Sequence, residues 1–218
     1  MRLLLSGFEP FGGSTINPSE QVLLALAHDG IADVELRAVI LPVDRTRGPA
    51  KLLEAVSDLA PDAILCLGEA SRRMALSVER VALNLMDYRI ADNSGNRVQD
   101  ELIVPDGPAA YFTTLPVRAM LNAVVEAGVP AELSLSAGSF LCNQVTYSLL
   151  HFLATHNRAT PARFMHLPAL PQQAAGRDVL MPSMALESML KGMRAALGAI
   201  VKQQASAAAG RGPAKLPR

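Results

Sequence analysis

A chain of 218 residues, half of them hydrophobic, is long enough to bury a sizeable core as one α/β domain or two small ones. Its 20 basic and 20 acidic side chains leave a formal net charge of zero, with no basic stripe interleaved with aromatics, which disfavours nucleic acid as a partner. No apolar run approaches the ~18 residues of a membrane span, Met1 to Ser6 is too short for a signal-peptide core, and two cysteines without CxxC or Cys/His clustering make neither a disulfide scaffold nor a zinc site.

The run "RLLLSGF" is expected to be a buried first strand ended by glycine. In "NPSEQVLLALA" a helix opens, with Asn17 as N-cap, Pro18 at the first helical position and Glu20 placed as in a capping box. "VELRAVILPV" alternates as a second strand, Gly48 to Leu59 has helical spacing, and "PDAILCLG" reads as a third, buried strand. "MALSVERVALNL" is strand-like in composition and leads into a polar loop from Ala91 to Pro108. "PVRAMLNAVVEAG" is a helix stopped at Gly128, "AELSLSAG" alternates again, and a helix follows from about Cys142 to Thr155. "ARFMHLPAL" is a late strand, and Leu186, Met189, Leu190, Met193, Leu197, Ile200 and Val201 line one face of a C-terminal helix. Strands alternating with helices predict a single three-layer α/β/α sandwich around a mostly parallel, twisted sheet, spanning residues 1–204. The small, polar tail 205–218 is expected to be disordered.

Cys142 stands where a helix begins, after the small-residue run "SAGSF". There the positive end of the helix dipole and unpaired N–H groups lower a thiol pKa and can hold an oxyanion. A free cysteine is also commonly just a small buried hydrophobe, which is the reading for Cys66 inside "AILCLG". A thiol nucleophile needs a base. His28 lies at a helix end beside "DG", and His151 and His156 share the helix of Cys142, where ~1.5 Å per residue puts even His151 more than ~10 Å along the axis. His166, at the end of a strand, faces the carboxyl edge where such sheets place their sites, although a satisfied strand-end histidine would look the same. Glu79 is a charge inside an apolar strand, which requires a buried partner or an edge position. Arg80 beside it should point to the other side.

The blocks "GFEPFGG" with "NPS", "ERVALN" leading to "RIADNSGN", "DGPAAYFTTLP", "SAGSFLCNQVTY" and "FMHLPALPQQ" occur in an order and spacing that resemble the pyroglutamyl peptidases of type I, from Met1 to about Gln204. The resemblance implies a cysteine exopeptidase that removes N-terminal pyroglutamate from peptides, cytoplasmic and homotetrameric, needing no metal or organic cofactor. It implies Cys142, His166 and Glu79 as catalytic residues. It also implies Phe8 and Phe11 flanking the lactam ring, with Asn17, Phe140 and Leu141 about it and Arg89 near the oxyanion. Two positions depart from the family pattern: Ala91 in "IADN", and Glu69 in "LGEASRR". A carboxylate at Glu69 could repel acidic residues or weaken lactam binding if it faces the pocket, and be harmless if it pairs with Arg72 or Arg73. Two other readings remain: a relative that binds pyroglutamyl peptides with little turnover, and a nucleoside phosphorylase-like enzyme on a related scaffold, for which no phosphate loop or arginine cluster is evident.

Overall fold

The computed structural model describes residues 1–175 and 177–209, with side chains as far as residue 206. The chain runs β1 (Arg2–Phe8), α1 (Pro18–Asp29), β2 (Glu35–Leu41), α2 (Arg47–Leu59), β3 (Ala63–Glu69), β4 (Leu76–Glu79) and β5 (Val81–Leu83). It continues through β6 (Ala110–Phe112), α3 (Val117–Glu126), β7 (Ala131–Ser134), α4 (Leu141–Thr155), β8 (Ala162–Leu167), α5 (Pro171–Ala174) and α6 (Leu186–Ala209). Six strands form one sheet in the order β2-β1-β3-β8-β4-β7, in which only the β8–β4 pairing is antiparallel.

The central strands are apolar without alternation because helices cover both faces. Leu3, Leu5, Leu65, Leu67 and Met165 pack beneath α1, α3 and α6. Leu4, Ile64, Cys66 and Phe164 pack beneath α2 and α4. The result is the expected single-domain α/β/α sandwich. The apolar face of the last helix is as expected: Met189, Met193, Leu197 and Ile200 are fully buried, with Leu186 and Leu190 packed at their margin.

Local chemistry sets the helix ends. Asn17 caps α1 with extended backbone, its side chain accepting from the Ser19 N–H, and Pro18 follows at the first helical position. The cap closes on Ser19, whose hydroxyl also donates to Asn17 Oδ1, rather than on Glu20. Gly128, at φ +74, ends α3 as predicted.

Two features differ from expectation. The segment read as one strand from Met74 to Leu85 breaks at Arg80, because its N–H donates to Ser134 O while its carbonyl accepts from Thr113 N. The chain thereby leaves the main sheet and enters a small hairpin sheet of β5 and β6. The tail expected to be disordered from 205 is helical as far as Ala209; residues 210–218 lie outside the described residues. The "LLHFL" stretch of α4 is mainly core, with Leu149, Leu150 and Leu153 buried.

Candidate active site

The carboxyl edge of β8 carries His166, and the antiparallel β4 lies beside it with Ser77 opposite His166. Two residues beyond Ser77 on the same face, Glu79 reaches diagonally to the imidazole. Its Oε1 accepts from His166 Nδ1 at 2.8 Å, and neither side chain is more than marginally exposed. A carboxylate can only accept, so Nδ1 carries the proton and Nε2 is the basic nitrogen; Nε2 makes no hydrogen bond among the described residues. As expected, Glu79 and Arg80 part company: the glutamate is buried and the arginine half-buried.

Cys142 approaches from above. Gly68 is the register partner of His166 on β3, so both face α4. A Cβ on Gly68 would stand 2.8 Å from Cys142 Sγ and 2.6 Å from Phe164 Cζ, closer than real contacts allow. The thiol therefore rests on the bare backbone of Gly68. With strands ~4.8 Å apart, that places it about one strand spacing from His166. Gly68→Ala is expected to lower kcat on the order of ~10²-fold by displacing the thiol, while leaving the fold intact at a cost of ~1–3 kcal/mol. Turnover and thermal unfolding of the variant check this; wild-type kcat would contradict it.

The turn into α4 is pinned on several sides. Gly138, at φ +78, makes the reversal, and Ser139 both donates its hydroxyl to Asp87 O at 2.6 Å and accepts from Asp87 N. Phe140, the N-cap, offers no side-chain acceptor. The first-turn N–H groups of Leu141, Cys142 and Asn143 thus have no capping partner and can receive an oxyanion.

The thiol is not acidified at rest. Cys142 retains some surface, yet burial, followed by the charges of Glu79 and Glu69, pushes its pKa up to about 12, against a smaller lowering by Arg73. The dipole argument from sequence predicted a lowered pKa; it omitted two carboxylates and the surrounding protein. His166 is pushed down from the ordinary imidazole value by burial, only partly opposed by the hydrogen bond and charge of Glu79. A neutral thiol beside a neutral imidazole calls for proton transfer as the thiol attacks.

Around the nucleophile, the rings of Phe11 and Phe140 lie 6.0 Å apart and Tyr88 meets Phe140 edge-on at 4.7 Å. Phe8 and Leu141 lie beneath them, buried in the same apolar cluster. Of the expected pocket residues, then, Phe11 and Phe140 present surface, and Phe8 and Leu141 form their support. Asn17 is fully buried, with Nδ2 donating to Glu9 O and Oδ1 occupied by Ser19, so it holds the "GFEPF" loop and offers nothing to a ligand. Arg89 is exposed and makes no side-chain hydrogen bond among the described residues, so no contact places it at the oxyanion position. Glu69 pairs with neither Arg72 nor Arg73. Its Oε2 accepts from Gln173 Nε2 at 3.0 Å, and burial raises its pKa. Gln173 also lines a cavity of about 550 Å³ with Ser14, Thr15, Gln21 and Arg177, which includes none of Cys142, His166 and Glu79.

Sequence reasoning missed several supporting residues. Asn143 mimics a strand neighbour, accepting from Leu83 N and donating to Leu83 O, each at 2.8 Å. Gln144 accepts from Tyr88 Oη and donates to Arg45 O. Glu9 accepts from Val43 N and Asn93 Nδ2, fixing the loop that carries Phe11. Arg163, 2 % exposed, donates to Glu79 O and Leu115 O; burial pulls its pKa down to about 10. Polar residues just after the nucleophile, in "CNQ", were the available signal for the first two. Arg73 donates to Glu79 Oε1 at 2.7 Å, a partnership set wholly by tertiary structure. Among the described residues no group of three or more His, Cys, Asp or Glu side chains converges to hold a metal.

A thiol, an imidazole and a carboxylate gathered at the carboxyl edge of an α/β/α sheet have the layout of a cysteine peptidase. The sequence pattern of the pyroglutamyl peptidase family matches residues 1–203. The chain is 46% identical over 192 residues to the pyrrolidone-carboxylate peptidase of Vibrio vulnificus (strain CMCP6), covering 88% of this chain and 89% of that protein. In structure it resembles a mutant pyrrolidone carboxyl peptidase from the hyperthermophile Pyrococcus furiosus, with a TM-score of 0.89, 37% identity and coverage of 93% and 99% of the two chains. Pyroglutamyl peptidase I of Bacillus amyloliquefaciens superposes with a TM-score of 0.88 at 34% identity, over 93% of this chain and 98% of that one. The chain belongs to the pyroglutamyl peptidase family, the cysteine peptidases that remove an N-terminal pyroglutamate from peptides. The phosphorylase-like and binding-only readings are not favoured by these likenesses.

Proposed function

We propose that Cys142 is the nucleophile of this reaction, His166 its base and then its acid, and Glu79 the group that orients the imidazole. One observation carries the assignment: Cys142 Sγ rests on Gly68, the register partner of His166, while Glu79 holds His166 through Nδ1. In the reaction the Cys142 thiol passes its proton to His166 Nε2 as Sγ bonds to the pyroglutamyl carbonyl carbon. The negative oxygen is received by the N–H groups at the start of α4, and Glu79 stabilises the imidazolium. The imidazolium gives its proton to the leaving amine, the C–N bond breaks, and a thioester remains. Water, deprotonated by His166, then cleaves the thioester and releases free pyroglutamate.

Cyclisation has removed the charge from the substrate's first residue, so an apolar slot suits it. Phe11 and Phe140 supply that slot, supported by Phe8 and Leu141. Asn17 serves it indirectly by holding the loop. Arg89 is free to meet substrate from solvent. Glu69 is held by Gln173, and burial favours its neutral form, so it need not oppose a neutral lactam ring. The peptides acted on are those beginning with pyroglutamate. A cytoplasmic homotetramer is the assembly proposed from the family resemblance; exposed Phe112, Val179 and Leu180 are apolar surface available to it. No helix among the described residues is long and apolar enough to cross a membrane.

The test is release of a fluorescent amine from a pyroglutamyl amide under reducing conditions, followed against pH. Because His166 binds its proton less tightly in the fold than in the unfolded chain, the acid limb of kcat/KM should lie below the ordinary ~6.5. Stability should fall in the same direction, declining as pH drops through that range, since the unfolded chain then binds the extra proton. Absence of turnover by folded protein would sink the assignment.

A further inference from the structure

The carboxylate of Glu79 is used unevenly. Oε1 accepts from both His166 Nδ1, at 2.8 Å, and Arg73 Nη1, at 2.7 Å, whereas Oε2 is buried with no partner. A carboxylate held by one oxygen is free to swing unless something fixes which oxygen faces the imidazole. The other terminal nitrogen of Arg73 donates to Ser136 O at 2.9 Å, within the turn that leads to Cys142. A guanidinium is a planar, rigid fork, so these two bonds fix each other's geometry. Glu132 lies farther from Arg73, at 3.9 Å, and is itself engaged by Ser77 Oγ at 2.7 Å.

We propose that Arg73 is a positioning residue of the peptidase reaction: its guanidinium selects the Glu79 oxygen that orients His166 and, through Ser136, anchors the turn that presents Cys142. The proposal rests on the assignment of Cys142, His166 and Glu79 above. The hydrogen bonds of Arg73 go to Glu79 and Ser136, behind the reacting groups, so its effect belongs on kcat rather than on KM.

Charge gives the proposal a signature that a purely structural arginine would lack. The ionisable groups facing His166 are Glu79 from β4, Arg73 from the turn before it, and Cys142 from α4; Glu69 acts on the thiol from β3, and Arg163 grips the Glu79 carbonyl. The cation of Arg73 opposes protonation of both His166 and Cys142. Removing it makes the first proton harder to lose, whichever of the two groups holds it. The acid limb therefore moves to higher pH.

The experiment compares Arg73→Gln and Arg73→Lys with wild type and Cys142→Ala, recording kcat, KM, the pH profile of kcat/KM and thermal unfolding. Arg73→Gln should lose on the order of ~10²-fold in kcat with KM within about threefold, and its acid limb should rise. Arg73→Lys keeps the charge but not the fork. Its acid limb should stay near that of wild type while kcat falls about tenfold. A kcat within twofold of wild type in the folded lysine variant would overturn the proposal. So would an acid limb unmoved in the glutamine variant, or losses confined to KM. If the glutamine variant does not fold, the lysine variant decides alone. Turnover surviving in Cys142→Ala would instead overturn the nucleophile assignment, and the role of Arg73 with it.

Discussion

Cys142→Ala is expected to lower kcat by ~10³-fold or more, whereas Cys66→Ala should stay within about threefold of wild type. The two thiols share a face of the molecule and a pKa raised to about 12, so acidity does not tell them apart. Position does. Cys66 is fully buried on β3, register partner of Phe164, with Ser6 as its polar neighbour. No substrate reaches it without unfolding. Cys142 keeps some surface, stands over Gly68 beside His166 and heads an uncapped helix. Alanine at 142 removes the bond-forming atom and little else, because the site is not deep core. Initial rates with matched thermal unfolding separate loss of chemistry from loss of fold. An alkylating reagent should likewise inactivate wild type and leave substrate able to protect it.

Glu79→Gln should be the next most damaging change, at ~10²–10⁴-fold in kcat. The amide keeps the shape of the carboxylate but supplies one acceptor and one donor. If its oxygen faces His166 and Arg73, a buried –NH2 takes the place of Oε2, which makes no hydrogen bond in the native site, and a donor left unpaired there costs ~1–3 kcal/mol. If the amide turns round, its –NH2 donates to Nδ1, moves the imidazole proton to Nε2, and leaves His166 unable to accept the thiol proton. Either arrangement removes the negative charge that stabilises the imidazolium. KM should change little, since Glu79 is fully buried and its side chain is taken up by His166 and Arg73. A Glu79→Gln enzyme with near wild-type kcat would mean that His166 is oriented by something else.

Much of this site was legible in the chain because its logic is local. A thiol at a helix start, a histidine at a strand end and a charge inside an apolar strand each violate a pattern in their own neighbourhood, and Cys142, His166 and Glu79 each lie where that reasoning put them. The parallel core was legible for the same reason: "RLLLSGF", "AILCLG" and "ARFMHL" are apolar without alternation. What stayed hidden depends on partners far away in sequence. The antiparallel insertion of β4 beside β8 brings Arg73 to Glu79 and Ser136, and no spacing rule announces it. Glu69 found Gln173, 104 positions away, rather than a neighbouring arginine. Asn17 was correctly read as a cap, and that role consumes every polar atom a ligand would have used. The thiol pKa was misjudged because the helix dipole is visible in sequence, whereas burial and the charges of Glu79 and Glu69 are not.

The most direct test of the account is to quench the enzyme in acid during turnover of a pyroglutamyl amide, digest it, and weigh the peptides. The account predicts a mass increment of one pyroglutamyl group on the peptide carrying Cys142, present in wild type, absent in Cys142→Ala and unchanged in Cys66→Ala. A pyroglutamyl group found on any other residue, or turnover of the Cys142→Ala enzyme at the wild-type rate, would contradict it.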